Sequence, residues 1–221
     1  MTHTATQGST SLHSVQLVHI TPNAEELIAY MARVSNPANQ NNTETSQRLI
    51  RYLIEHKHWS PFEMVNMCVE INTTRSIAAQ ILRHRSFSFQ EFSQRYAEVM
   101  GSGVVPNLRR QDTKNRQNSI DDLDPYDVQG LKTEIARHFV ESEKLYDRLL
   151  EFGVAKERAR EVLPLATPTR LYMNGTIRSW IHYCQLRCGN GTQLEHRMIA
   201  TRAYELLQDH LPNVCLALEN V

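Results

Sequence analysis

Residues 80–96 read QILRHRSFSFQEFSQRY. Ile77, Ala78, Ile81 and Leu82 recur at helical spacing before and into this stretch, so a helix over 73–85 presents Arg83, His84 and Arg85 at its end. Ser88, Ser93 and Arg95 follow, with Phe87, Phe89, Phe92 and Tyr96 interleaved. From 75 to 110 six arginines (75, 83, 85, 95, 109, 110) face only Glu91 and Glu98, a local excess of four positive charges. Three cations in three residues repel one another unless anions neutralise them. Phosphate or diphosphate does this well, because each accepts paired guanidinium bonds. The aromatic rings offer faces on which a base or a ring cofactor stacks. On composition alone the same stretch also reads as a solvated basic loop with apolar anchors.

Outward from this stretch the chain alternates strands and helices. Residues 65–72 (VNMCVEIN) and 15–20 (VQLVHI) read as strands by their β-branched content. Asn23 is placed to cap a helix running to 34, with Glu25 and Glu26 in the first turn, where the helix dipole favours them. Thr43 or Thr45 opens another helix, with Leu49, Ile50, Leu53 and Ile54 at helical spacing, and Ser60-Pro61 breaks the pattern. Residues 86–126 look irregular, with Gly101, Gly103, Pro106 and an acidic turn at 121–125; so long a stretch inside a domain is a functional or a disordered loop. A long helix over 128–152, a short one over 156–163, a strand over 169–174 and helices over 176–188 and 192–210 complete the chain. The pattern is α/β in the α+β sense: a flexible tail over 1–12, rich in Thr and Ser, and one domain over 13–221.

Composition removes several classes of function. The 221 residues carry 24 basic and 24 acidic side chains, and a neutral chain lacks the surplus positive charge that nucleic acid or an anionic membrane requires. No run approaches 18 apolar residues, and residues 1–12 lack the basic start and apolar middle of a signal peptide; the expectation is a cytoplasmic protein. Cys68, Cys184, Cys188 and Cys215 are too few for a disulfide scaffold. Cys184 and Cys188 lie near His182, but no second pair has zinc-site spacing, so no metal is expected. Cys68 and Cys215 sit in apolar runs, a poor setting for a nucleophile. Only 8 glycines occur, and GxGxxG, GxxxxGK[ST], GxSxG and HExxH are all missing. A nucleotide or cofactor is therefore held here by side chains. The basic residues divide into 19 Arg and 5 Lys, which reflects either composition bias or many anion contacts.

The spacing Arg83-His84-Arg85-x-x-Ser88-x-x-x-x-Ser93-x-Arg95 satisfies the signature RHRxxSxxxxSxR at every fixed position. In this the sequence resembles the flavin-dependent thymidylate synthases. Further elements are similar: His58-x-Ser60-Pro61-Phe62-Glu63 upstream, Gln80 three residues before the signature, then Glu157-x-x-Arg160-x-x-Leu163-Pro164 and Arg178-Ser179-x-x-x-His182-x-x-x-x-Arg187. The resemblance extends over approximately residues 14–212.

It implies a single catalytic domain whose central, mainly antiparallel or mixed sheet is flanked by helices. The implied reaction moves a methylene from 5,10-methylenetetrahydrofolate to carbon 5 of dUMP, while FAD reduced by NADPH supplies the hydride and tetrahydrofolate is released. By resemblance, Ser60, Arg83, His84, Arg85, Glu91, Thr176, Ile177, Arg178 and His182 meet FAD. Gln80, Arg83, Glu91, Phe92, Ser93, Gln94, Arg95, Arg160 and Arg187 meet dUMP. The expected catalytic residues are Arg187 at the uracil edge, His58 near the flavin and the folate entrance, and Ser93. Phosphate binding is favoured for Ser93 over nucleophilic attack, because its neighbours are arginines and no activating base. The family implies a homotetramer with active sites shared between subunits. Thr176 stands where many members have Asn, and residues 106–124 match nothing in the resemblance. If 176–188 is helical, Arg178 and His182 share a face and Arg187 lies about 140° round from it. His182 as a satisfied, partly buried histidine and Glu157–Arg160 as an ordinary surface pair remain the plain readings of those residues.

Overall fold

The computed structural model describes residues 12–219 apart from 100 and 102; nearly all of the expected tail over 1–12 lies outside them. Four strands form the sheet: β1 (Ser14–Ile20), β2 (Asn66–Thr74), β3 (Ser88–Glu91) and, later in the chain, Pro168–Thr176. Their spatial order is β1, β2, Pro168–Thr176, β3, and every pairing is antiparallel. Register assigns the two faces. Val15, Ile71 and Leu171 align across the sheet, as do Leu17, Val69, Met173 and Phe89. Because successive side chains point to opposite faces, these rows face the helices. The other face carries Ser14, Asn72 and Arg170 in one row and Gln16, Glu70, Tyr172 and Gln90 in the next. It is a polar ladder: Arg170 Nε donates to Asn72 at 3.0 Å, and the Tyr172 hydroxyl donates to Glu70 at 2.9 Å.

The helices are α1 (Ala24–Ala32), α2 (Ser46–Glu55), α3 (Arg75–Ile81), α4 (Pro125–Glu151), α5 (Lys156–Ala159), α6 (Ile177–Arg187), α7 (Leu194–His210) and α8 (Pro212–Glu219). Between β3 and α4 a two-residue ribbon pairs β4 (Arg110–Gln111) with β5 (Ser119–Ile120); the fourth sheet strand, β6, is Pro168–Thr176. Ile28, Ile50, Phe62, Ile77, Trp180 and Leu207 are fully buried between helices and sheet. The Trp180 indole N–H donates to the Met67 carbonyl at 2.9 Å, so its one polar atom is satisfied inside the core.

The structure departs from the sequence reading at several places. The stretch expected to be irregular from 86 contains β3, four residues long, whose alternation is too short to register as a period. The helix expected over 73–85 spans only Arg75–Ile81: Thr73 and Thr74 continue β2 opposite Thr169 and Pro168, and Arg83, His84 and Arg85 lie in the turn beyond its end. Asn23 precedes α1 in a left-handed conformation (φ 51°), which carries its side chain away from the cap: the backbone carbonyl, and no side-chain oxygen, serves α1. Finally, Pro212 opens α8, whose start is capped from a distance: Glu25 accepts from the Val214 N–H at 2.9 Å and from the Asn213 amide at 2.6 Å.

Candidate functional site

Two walls of a site converge where α6 leaves β6. Thr176, the last residue of β6, caps α6 by accepting the Ser179 N–H at 3.2 Å. Its oxygen thus has a structural partner, and the cap explains why a short hydroxyl residue stands there. Ile177, the first residue of α6, packs into the core with 0% exposure. Arg178 and His182 are exposed, share the helix face expected from their spacing, and border a cavity of about 440 Å³ with Trp59, Glu63, Ser86 and Gln185. Arg178 pairs with Glu63, whose 3₁₀ turn (Ser60–Glu63) also carries the exposed Ser60.

At the other end of α6, Arg187 Nε donates to His84 Nε2 at 2.9 Å. A ring nitrogen that accepts is unprotonated, and burial, then the Arg187 charge and His182, push the His84 pKa down to about 4. The expected trio of adjacent cations is therefore two cations about a neutral imidazole. The cations, Arg83 and Arg85, are exposed, and among the described residues no carboxylate pairs with either. The His84 ring stands edge-on to Tyr183 at 4.9 Å.

Alternation along β3 sorts the aromatic residues. Phe87 is buried against Trp180 with ring centroids 4.8 Å apart, and Phe89 packs on the core. A Cβ added to Gly175 would stand 2.4 Å from the Phe87 ring, so the slot for Phe87 exists only because residue 175 lacks a side chain. Phe92 and Tyr96 remain outside, at 40% and 88% exposure, so two of the four interleaved rings stay free to stack. Glu91 accepts from Arg75 at 2.6 Å and from the Thr169 hydroxyl at 3.0 Å. Beyond it, Gln94 is buried with its Nε2 unpartnered, and exposed Ser93 sits in a turn closed by Tyr96 and Ala97 N–H groups on its carbonyl. Glu91, Phe92, Ser93, Tyr96 and the outer sheet residues Arg170 and Tyr172 border a cavity of about 1200 Å³.

Arg95 and Arg160 come together on Glu157. The Glu157 carboxylate pairs with Arg95 at 3.0 Å, whereas Arg160 donates to its backbone carbonyl at 3.3 Å. The i,i+3 pair open from the sequence is replaced by a long-range one. His58 stands apart: it is exposed beside the Tyr52 and His56 rings, and among the described residues no contact joins it to Arg187 or Ser93.

Sequence reasoning passed over a buried polar cluster behind this surface. His196, at 0% exposure, lies 3.1 Å from the Tyr183 hydroxyl and 3.4 Å from Gln80 Oε1. Gln80 Nε2 donates to Gln193 at 2.7 Å, and Arg109 pairs with Glu195 at 2.8 Å. The segment 106–124, which matched nothing, is thereby tied to the site through Arg109. The available signal was spacing: 196, 199, 200, 203 and 207 form one inward stripe of α7, and His196 is its polar member. The cysteines divide similarly. Burial raises the Cys68 and Cys215 thiols, the latter to about 12, whereas hydrogen bonds from Cys184 and then Thr201 lower half-buried Cys188 to about 7. Among the described residues no cluster of His, Cys, Asp and Glu fits a metal ion.

With this geometry in place, the relatives can be compared. The family model of the thymidylate synthase complementing proteins matches residues 16–213. The flavin-dependent thymidylate synthase of Synechocystis sp. is 52% identical over 195 residues, which cover 88% of this chain and 89% of that protein. A protein of Paramecium bursaria Chlorella virus 1, named as a probable flavin-dependent thymidylate synthase, is 54% identical over 196 residues, covering 89% of this chain and 91% of the relative. Among solved structures, the UMP/dUMP methylase PolB of Streptomyces cacaoi bound with 5-Br dUMP superposes with a TM-score of 0.85 at 28% identity and covers 96% of both chains. The same methylase bound with 5-Br UMP gives 0.84.

Proposed function

Because the chain belongs to the thymidylate synthase complementing proteins, the family of the flavin-dependent thymidylate synthases, we propose that it methylates dUMP to dTMP reductively. The carbon comes from 5,10-methylenetetrahydrofolate, and FAD reduced by NADPH is the hydride carrier. The observation that carries this reading is the junction of Arg187 with His84, which brings the end of α6 to the arginine-rich turn.

The residues fit a flavin dinucleotide by their chemistry. Arg178 lines the α6 cavity, Arg83 and Arg85 are exposed in the turn that leads to its Ser86 and have no carboxylate partner among the described residues, and a diphosphate would satisfy such guanidiniums. Ser60, His84, His182 and the Thr176 backbone complete the set, with Glu91 reaching from the β3 side. When bound there, the flavin would supply the hydride. Folate meets the same region near His58.

This chain's own residues orient and polarise the nucleotide. Arg95, Arg160 and Ser93 take the monophosphate, and Gln80, Phe92, Gln94, Glu91 and Arg83 hold the rest of dUMP. Gln94 has a buried Nε2 without a partner, a donor waiting for an acceptor. Arg187 has Nε on His84, which leaves its two Nη groups for the uracil edge. There they favour the N3-deprotonated base and raise nucleophilicity at carbon 5, with no enzyme thiol taking part. The buried, raised thiols of Cys68 and Cys215 agree with that route.

The protein acts as a homotetramer whose subunits share active sites. The support is that the polar outer sheet face and the wide cavity on it are open in one chain, and that His58 stands apart from the other catalytic residues. We place it in the cytoplasm, whose reducing conditions suit its free cysteines; no helix among the described residues is long and apolar enough to cross a membrane. The test is a visible spectrum of purified protein titrated with dUMP, followed by assays with each component omitted. Flavin absorbance that responds to dUMP, and thymidylate formed only with folate, NADPH and dUMP together, are expected. A colourless protein that takes up no FAD and makes no thymidylate refutes the reading. UMP belongs beside dUMP in the assay, because a structural neighbour is a methylase named for both.

A further inference from the structure

Behind the arginine-rich turn the hydrogen bonds run in one direction, and a carboxylate sets that direction. Glu195 is held by Arg109 at 2.8 Å, both side chains being largely buried. An ionised carboxylate only accepts, so Gln193, 3.0 Å away, turns its amide NH2 toward Glu195. Its oxygen then faces Gln80 and accepts from Gln80 Nε2 at 2.7 Å. This leaves Gln80 Oε1 toward His196 Nδ1 at 3.4 Å, so Nδ1 carries the proton. His196 Nε2 is then bare and accepts the buried Tyr183 hydroxyl at 3.1 Å. Amide orientation and tautomer are assigned from such networks, and here one charged end determines every link. Burial holds His196 neutral, its pKa near 4, with the Arg187 and His84 neighbours adding to the effect.

We propose that His196 is a positioning residue for the nucleotide pocket: locked in one tautomer between Tyr183 and Gln80, it holds the Gln80 carboxamide oxygen inward. The second N–H of Gln80 Nε2 is then left for an acceptor on the nucleotide. The inference rests on the assignment of Gln80 to the dUMP pocket. His196 touches no substrate; it acts through Gln80. Tyr183 joins this role to the rest of the site, because its ring also backs His84, the partner of Arg187.

The test is calorimetric titration of the FAD-loaded protein with dUMP. His196→Phe fills the same space without either bond, and His196→Gln keeps one donor and one acceptor. Expected results are dUMP affinity lowered about tenfold in His196→Phe, equivalent to one lost oriented hydrogen bond, with FAD content unchanged and most affinity recovered in His196→Gln. Full affinity in His196→Phe overturns the proposal. So does equal loss in the two variants, which marks a packing role. If His196→Phe does not fold, Tyr183→Phe decides: a few-fold weaker dUMP binding supports the proposal and unchanged binding overturns it. Failure of the unaltered protein to bind dUMP is a separate result, and refutes the functional reading together with the Gln80 assignment.

Discussion

His84 and Arg187 lie 103 residues apart in the chain and meet through one 2.9 Å bond, in which Arg187 Nε donates and His84 Nε2 accepts. A guanidinium held by Nε is fixed in its plane and directs both Nη groups the same way. Lysine's ammonium is a point charge without the planar fork whose two ends serve two partners in fixed directions. Arg187→Lys is therefore expected to lower kcat/KM for dUMP by about 10²-fold or more, the scale of one lost electrostatic donor in a transition state, while FAD retention stays near that of the unaltered protein. Measuring flavin content and turnover on the same preparation separates the two. Equal losses in both would remove Arg187 from the uracil edge.

Neutral His84 and His196 make the fold sensitive to acid. Both have pKa values near 4 when folded, against an ordinary value of 6.5. Between about pH 6.5 and pH 4 the unfolded chain binds protons that the folded chain refuses, so stability falls as pH falls through that window and is fully present above it. Urea midpoints at pH 7 and pH 5 should show the loss. In His196→Gln the slope is expected to decrease by up to about 1.4 kcal/mol per pH unit, one proton's worth. An unchanged slope would mean that His196 is not held neutral.

Strands β1, β2 and β6 and the long helices were legible, the first two strands by β-branched content and the helices by apolar recurrence that reaches the core, as through 176–188. The exposed site residues were legible only as a spacing of residue types, since Arg83, Arg85, Ser93 and Arg95 bury too little to impose a period. What stayed hidden depends on contacts between distant segments. The neutrality of His84 comes from its burial and from Arg187, 103 residues away, the partner of Glu157 is Arg95 in place of Arg160, and the cap of α8 is Glu25, 189 residues from Val214. Asn23 shows the converse, a correct residue type for a cap whose left-handed backbone points it elsewhere.

Gly175 and Phe87 form a second such dependency. Any side chain at 175 overlaps the Phe87 ring, beginning at 2.4 Å, and Phe87 lies between His84 and Ser88 in sequence. Gly175→Ala is expected to cost about 1–3 kcal/mol by overpacking and to depress activity further by shifting the turn. Phe87→Leu in the same chain should return part of the stability, and thermal melts of the two single variants and the double variant measure that coupling. Additive losses would show that the two positions do not compete for one space.

Thr176 distinguishes capping from cofactor contact. Its oxygen accepts the Ser179 N–H, so Thr176→Ala should cost about 1 kcal/mol of stability with FAD affinity little changed, and Thr176→Ser should behave as the unaltered protein. Melting temperature and flavin titration together decide. A variant that melts normally but releases FAD would move the role of Thr176 to the cofactor.

The pair between Arg95 and Glu157 is exposed at 67% and 50%, so it contributes under about 1 kcal/mol to folding. Its effect is on ligand binding, because the carboxylate occupies Arg95 Nε and Nη2, the donors that a phosphate would grip. A bound monophosphate has to displace Glu157. Glu157→Gln is accordingly expected to leave the melting temperature within a few degrees and to strengthen dUMP binding several-fold at low salt. The gain should shrink as salt rises, since screening weakens the competing exposed pair. Titrations of the FAD-loaded variant with dUMP at low and high salt check this. Weaker binding in Glu157→Gln at both salt concentrations would mean that the carboxylate holds Arg95 in place for the nucleotide and does not compete with it.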